Sequence, residues 1–260
     1  MPKVRLIDSR EYKLILASDR FSDRGIGVAA LQDIVCRLGE QLGGEVERQQ
    51  EDELRQTHYL DTTEFHLQRA GFLFRIRFET DEFKISLKHR APDRYLAAAQ
   101  DLAMSSGGDD LKFEEDILPP FRSLFSQSNS LRTPTAPEIE NIEHLVDLFP
   151  GLKDLGLPRS MKLEVVNGFR PTETFVKLCK VKFGDGPKIK CGLSLWYHST
   201  SDAWPLISEL AYDYEADGGD DFPLQVVEGA NHLYASLQRQ PGWFNPHETT
   251  KTLFAYEALA

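Results

Sequence analysis

The sequence predicts an α+β fold: a closed antiparallel β-barrel with a charged interior and helices flanking its outer face. Three observations carry this reading. Eight or nine strand-like segments follow one another along the 260 residues, with helical segments at the ends and joins. Most connections between them are short, which implies antiparallel pairing. Six of the segments alternate a charged face with a largely apolar one. There is no strand–helix–strand alternation and no glycine-rich phosphate loop, which disfavours a Rossmann or P-loop nucleotide fold.

The elements read as follows. Residues 4–16 (VRLIDSREYKLIL) form a strand. Residues 27–42 form an amphipathic helix with Leu31, Ile34, Val35, Leu38 and Leu42 on one stripe, stopped by Gly43-Gly44. Strands follow at about 53–60, 71–79, 82–89 and 110–118, with a short helix or loop before the last. The polar stretch SQSNSLRTPTAPEIEN (126–141) reads as a loop, and a short helix at about 139–149 ends at Pro150-Gly151. Four more strands follow at 161–170, 174–183, 188–197 and 206–215, with FGDGPK as a turn between the second and third. A helix at about 223–238 and a tail ending HETTKTLFAY complete the chain.

Composition bounds what such a chain does. A length of 260 residues fits one large domain or two small ones and suffices for a sizeable core. The net charge is −11, which argues against a generic nucleic-acid binder, because phosphate backbones need a basic surface. Basic clusters inside an acidic protein point instead to a confined anion site. Three cysteines without motif spacing (Cys36, Cys179, Cys191) argue against a disulfide framework or a zinc site. No stretch is apolar for the ~20 residues a membrane span needs, and the opening residues lack a signal-peptide core, so a cytoplasmic location is expected.

The charged faces carry the functional reading. Glu11 and Lys13 share a face with Ser9; Arg75 and Arg77 share one with Glu79; Lys84 and Lys88 share one with Ser86. Lys112, Glu114 and Asp116 share a face, as do Lys162, Glu164 and Arg170, and Glu209, Asp213 and Glu215. A sheet with one wet face gives the same alternation on any single strand. Six such strands are too many for one flat wet face under three or four helices. Closing them into a barrel turns the charges inward and puts the apolar faces under the helices. A charged interior costs several kcal/mol for each unpaired ion unless the charges compensate each other or a ligand. Cations converging with carboxylates suit a polyanion such as a triphosphate, with Mg²⁺ or Mn²⁺ on the acids bridging phosphate oxygens.

The stretch YLDTTEFHLQRAGFLFRIR (59–77) resembles the signature of the CYTH, or triphosphate tunnel metalloenzyme, family. SREYK (9–13), KISLKHR (84–90), KFEED (112–116), NGFR (167–170) and TTK (249–251) resemble its other elements in the same order. The resemblance implies a single eight-stranded antiparallel tunnel domain over residues 1–260, with a polar loop around 126–141. It implies binding and hydrolysis of inorganic, nucleoside or thiamine triphosphate. On that reading Lys13, Arg75, Arg77, Lys88, Arg170 and Lys251 hold phosphates. Glu11, Glu114, Asp116, Glu209 and Asp213 are the candidate metal ligands, and Glu11, Lys13 and Arg77 carry the chemistry. The chain departs from the family pattern at Ser9, Gly168, Trp196 and Ala211, each of which removes an expected charge. Two further classes therefore stay open: a tunnel that binds triphosphate or polyphosphate without turnover, and a plain sheet-and-helix interaction protein.

Overall fold

Which face of a strand turns inward is fixed by what the other face packs against, and here the helices take the apolar faces. The computed structural model describes residues 6–105, 110–199, 201–216, 222–245 and 249–257. Ten strands form one sheet: β1 Ser9–Leu16, β2 Glu45–Asp61, β3 Phe72–Glu79, β4 Glu82–Ala91, β5 Lys112–Leu118, β6 Arg122–Thr133, β7 Glu164–Val165, β8 Thr172–Lys182, β9 Lys188–Tyr197 and β10 Ile207–Glu215. Their order is β3-β4-β6-β5-β1-β10-β9-β8-β2, and β2 pairs back onto β3. Nine strands thus close a ring, and the two-residue β7 is bonded to β2 from outside it.

The closed barrel agrees with the sequence reading, but its count and direction do not. The expected eight antiparallel strands are nine in a mixed barrel, because β1 and β5 run parallel, with Glu11 opposite Asp116. Strands joined by hairpins must be antiparallel; β1 and β5 are far apart in sequence and are free of that constraint.

The extra strand is β6, where the sequence reads as a loop. Its composition misleads because both of its faces are polar. Ser128 and Ser130 turn into the barrel. Gln127 and Asn129 point the other way and are buried, donating to the carbonyls of Gln100 (3.0 Å) and Leu102 (2.9 Å). They fasten the segment that follows helix α3 (Arg94–Ala98) to the outside of the barrel. The expected strand at 161–170 also shrinks, to β7. After it Asn167 (φ 52°) and Gly168 (φ 64°) take left-handed conformations that a strand does not contain.

Two apolar layers cover the outside. Helix α1 (Arg24–Gln41) starts where the Asp23 side chain accepts from the Ile26 amide (3.0 Å) and ends before Gly43, whose φ of 82° suits glycine. Its Leu31, Val35 and Cys36 pack with Leu233 and Tyr234 of α5 (Leu224–Gln238) onto Leu14, Leu178, Leu193 and Leu210. Tyr12 and Tyr212 stack there at 4.8 Å between ring centres. Over β3 and β4, helix α4 (Ile142–Leu148) brings Leu145, with Phe149 just after it, against Phe74, Ile76, Ile85 and Leu87. Each such side chain contributes roughly 1.5–3 kcal/mol on burial. Cys36, Cys179 and Cys191 are free thiols buried in the first layer.

The polar outer face of β6 makes a stability prediction. Asn129→Ala deprives the buried Leu102 carbonyl of its donor. It should lower the free energy of unfolding by about 1–3 kcal/mol in a denaturant titration. A loss within error would mean that this bond does not fasten the strap.

A tunnel with a cationic wall and an acidic wall

The inward faces enclose a cavity of about 330 Å³. Nine cations line it: Lys13, Arg55, Arg75, Arg77, Lys84, Lys88, Arg90, Lys112 and Lys251. Four acids join them: Glu11, Asp110, Glu114 and Glu209, together with hydroxyls of Ser86, Ser128, Ser130 and Ser194. Alternation along the strands brings these residues together, since each sits two residues from the next on its strand.

Part of this charge is neutralised internally. Lys13 Nζ lies 2.7 Å from Glu11 and 2.8 Å from Asp116. Arg90 reaches the other Asp116 oxygen at 2.8 Å. Lys88 meets Glu114 at 2.8 Å. Lys251, at the start of α6 (Lys251–Glu257), donates to Ser194 (2.7 Å) and meets Glu173 (3.1 Å) and Glu209 (3.3 Å). Burial would raise the Asp116 carboxyl, but Lys13, Lys88 and Arg90 outweigh it and hold the group far below the usual range. Burial would lower the Lys13 ammonium, and Asp116 with Glu11 raises it instead.

The rest is less fully neutralised. Arg75 has no hydrogen-bond or ion-pair partner among the described residues, although it lines the cavity. Burial, and then Arg75, push Arg77 down to about 10 in spite of Glu79 at 2.5 Å. Burial and both arginines push Lys84 down, with Asp110 no nearer than 3.7 Å. An excess of positive charge therefore sits on β3 and β4.

The opposite excess sits on β1 and β10, where Glu11 and Asp213 lie directly across from each other. Burial is the largest cause that raises both. Asp116 and Glu114 add to it at Glu11, against Lys13. At Asp213, Glu11 adds to it, Lys190 opposes, and the carboxyl rises to about 7. Glu114 goes the other way: burial would raise it, but Lys88 holds it down. β1 stands four places from β3 in a ring of nine strands, so the two walls face each other.

Most of the residues expected from the sequence meet here. Glu11, Lys13, Arg75, Arg77, Lys88, Glu114, Glu209 and Lys251 line the cavity, with Asp116 buried in its floor and Asp213 beside Glu11. Arg170 does not. It is exposed and lines a separate outer groove with Lys162 and Asn141, because the left-handed turn at Asn167-Gly168 takes the chain out of the barrel. Two of the four departures are filled by other contacts, while Ala211 lines the cavity and a Cβ at Gly168 would meet open space. Ser9 Oγ donates to Glu114 at 3.3 Å. Trp196 is buried against Phe169, with Lys251 Nζ 5.7 Å from its ring centre.

The sequence reading missed Arg55, Arg90 and Glu173. Arg90 continues the Lys84–Ser86–Lys88 alternation by one more step. Arg55 shares a face with Thr57 and Tyr59, and Glu173 precedes the strand expected from 174. For Arg90 and Glu173 the signal is cut off by a strand boundary placed one residue short; Arg55 lies inside the expected strand at 53–60, where only Glu53 adds a second charge to its face.

Glu11, Glu114 and Asp213 offer only hard oxygen donors, and burial holds the Glu11 and Asp213 carboxyls above their usual range, so the donor type fits Mg²⁺ or Mn²⁺. Their spacing is looser: among the described residues no group of three or more His, Cys, Asp or Glu closes around a metal position. Asp116 is engaged by Lys13 and Arg90 and Glu209 by Lys251, which leaves those two the weaker metal candidates.

The two acids Asp116 and Asp213 should behave oppositely. Between about pH 4 and pH 7 the unfolded chain has released the Asp213 proton while the folded chain retains it, so stability falls as pH rises. In chelator, Asp213→Asn should therefore raise the melting temperature more at pH 8 than at pH 5. Asp116→Asn leaves Lys13 and Arg90 without their shared partner and should cost about 3–5 kcal/mol at pH 7. Equal effects of the two substitutions would contradict the division of the tunnel into neutralised and unneutralised charge.

The fold is shared with known proteins. The chain superposes on the Hippeastrum protein HpAC1, an adenylyl cyclase candidate with a dominant triphosphatase activity, with a TM-score of 0.50 and 11% identity over 97% of this chain and 96% of that one. It is also similar to an adenylate cyclase candidate from Bacillus halodurans (TM-score 0.43, 16% identity, 96% and 98% covered). The inorganic triphosphatase NE1496 is a further match (TM-score 0.33, 12% identity, 98% and 97% covered). No protein-family model and no curated protein matches the sequence. The likeness to the Hippeastrum protein is one of fold, and it gives the closed tunnel a known counterpart.

Proposed function

We propose that the tunnel binds a triphosphate and hydrolyses it with the help of Mg²⁺ or Mn²⁺. One observation carries this reading: on β3 and β4 Arg75 has no ion-pair partner among the described residues and Arg77 and Lys84 are pushed down beside it, while on the facing wall Glu11 and Asp213 are pushed up with Lys13 shared between Glu11 and Asp116. A buried charge excess persists when a ligand supplies the counter-charge. A triphosphate with a divalent cation supplies both signs at once. The dominant triphosphatase activity of the Hippeastrum protein of like fold supports the same substrate class.

In this reading Arg75, Arg77 and Lys84 take the phosphate oxygens, with bidentate bonds available to the two guanidinium groups. Lys13, Lys88 and Lys251 turn from their carboxylates toward the phosphates as the chain of anions enters. Glu11, Glu114 and Asp213 would hold a divalent cation, which would supply charge neutralisation at the phosphate oxygens. Glu11, next to Lys13, orients the attacking water. The water oxygen bonds to the terminal phosphorus as the bridging P–O bond breaks, and Arg77 stabilises the charge on the transferring group. Trp196 and Ala211, which stand where acids were expected, favour a second reading in which the tunnel binds the anion without turnover.

Phosphate release from inorganic triphosphate, ATP and thiamine triphosphate separates the two. Turnover that requires Mg²⁺ or Mn²⁺, stops in chelator and drops about 100-fold or more in Arg77→Ala is expected for the enzyme. A triphosphate-induced rise in melting temperature without turnover would establish the binding reading. Neither turnover nor a thermal shift would remove both.

A further inference from the structure

Among the described residues two aromatic rings line the cavity, Tyr59 and Phe175, and Phe175 has no polar group to offer a phosphate. Phe175 lies on β8, on the strand face it shares with the buried Glu173. A partly exposed ring among ions gains little from burial, so its placement there calls for a contact partner.

Two features hold the ring in place. The Arg55 guanidinium carbon lies 4.0 Å from the Phe175 ring centre, a close cation–π stack. Arg55 is itself fixed by Glu53, at 3.0 Å and 2.5 Å, with Glu79 at 3.7 Å. Its charge is thus satisfied, unlike that of Arg75, and its plane rather than its charge is what it offers the cavity. On the neighbouring strand stands Gly192, where a Cβ would come within 2.6 Å of the ring tip. Only a bare backbone there lets Phe175 lie as it does.

The stack adjoins the phosphate wall. Arg55 is two residues along β2 from Thr57, a rise of roughly 6.6 Å, and Thr57 pairs directly with Arg77. A ring resting on Phe175 and Arg55 is therefore within a nucleotide's length of Arg75 and Arg77.

From this we infer that the Phe175–Arg55 stack is a subsite for a planar aromatic head group, so that the substrate is an organic triphosphate and not inorganic triphosphate. The inference rests on the triphosphate reading above and adds the class of the head group. Stacking on a ring and a guanidinium tolerates any heterocycle, so the subsite selects aromatic head groups as a class.

Affinities for the non-hydrolysable imido analogues of ATP and of inorganic triphosphate, measured by calorimetry in Mg²⁺, test it. The wild type should bind the ATP analogue more tightly. Phe175→Leu, which keeps an apolar side chain of similar size but removes the ring, should weaken the ATP analogue about tenfold or more and leave the inorganic analogue unchanged. Phe175→Tyr should restore it, and unchanged melting temperatures would show that all variants fold. Equal weakening of both analogues by Phe175→Leu would overturn the subsite and leave the phosphate site standing. So would a wild type that prefers the inorganic analogue. Binding of neither analogue would overturn the triphosphate reading and this inference with it.

Discussion

Charge compensation inside a closed barrel is the constraint on which the rest of the structure depends. A barrel interior is narrow and partly shielded from water, so each ion in it costs several kcal/mol unless paired. Asp116 shows how the chain meets that cost. It is 1% exposed, and one carboxylate joins Lys13 to Arg90 and so links β1, β4 and β5 from within. The packing follows from the same choice. Because the strands turn their ions inward, their leucines and tyrosines face outward, and α1, α4 and α5 are needed to keep those faces from water. The helices are therefore not accessories to the tunnel. They complete the apolar cores that the barrel cannot enclose.

The legible part of the sequence was the part with a single periodicity. In β3 and β4, Leu73 and His89 apart, every second residue is charged or hydroxylated and the others are apolar, so both the strands and their inner faces could be read off. β6 was illegible for a definite reason. Its inner serines line the tunnel and its outer Gln127 and Asn129 bind the backbone of a strap, so neither face carries the apolar signal that marks a buried strand. The first part of β2 was hidden in the same way, since Glu45–Asp52 is polar on both sides and largely exposed. The parallel pairing of β1 with β5 lay beyond any local pattern, because register between distant strands is set by the closed ring. Arg170 was misread through backbone conformation: alternation places it inside only if the strand continues, and Asn167 and Gly168 break it.

Within the site, the sequence located the charged residues but not how they divide. Lys13, Lys88 and Arg75 look alike in an alternating pattern. In the structure Lys13 and Lys88 are held by carboxylates, while Arg75 stands without a partner among the described residues. Pairing depends on which strands become neighbours across the ring, and so on the mixed topology that local periodicity cannot supply. The same holds for the acids. Glu11 and Asp213 are alike in sequence to Asp116, yet they face each other with only Lys13 close to Glu11, while Asp116 shares that Lys13 and has Arg90 as well.

This division bears on the departures from the tunnel-family pattern. Ser9, Trp196 and Ala211 stand where the resemblance leads one to expect acids, and most of the acids that are present are engaged by lysines. What the chain keeps undiminished is the cationic wall of β3 and β4. In the proposed reading the phosphates meet mainly the β3–β4 wall and the cation mainly the β1–β10 wall, so affinity for the anion and capacity to hydrolyse it would be set by different walls of one cavity. Among the described residues the acid wall is least compensated at the Glu11–Asp213 pair, directly across β1 and β10, where Lys13 is shared between Glu11 and Asp116. Like charges opposite each other destabilise a sheet, and burial holds both carboxyls above their usual range. In the proposed reading the pair bears that cost to folding so that a cation entering with the phosphates would find two carboxyls ready to give up their protons.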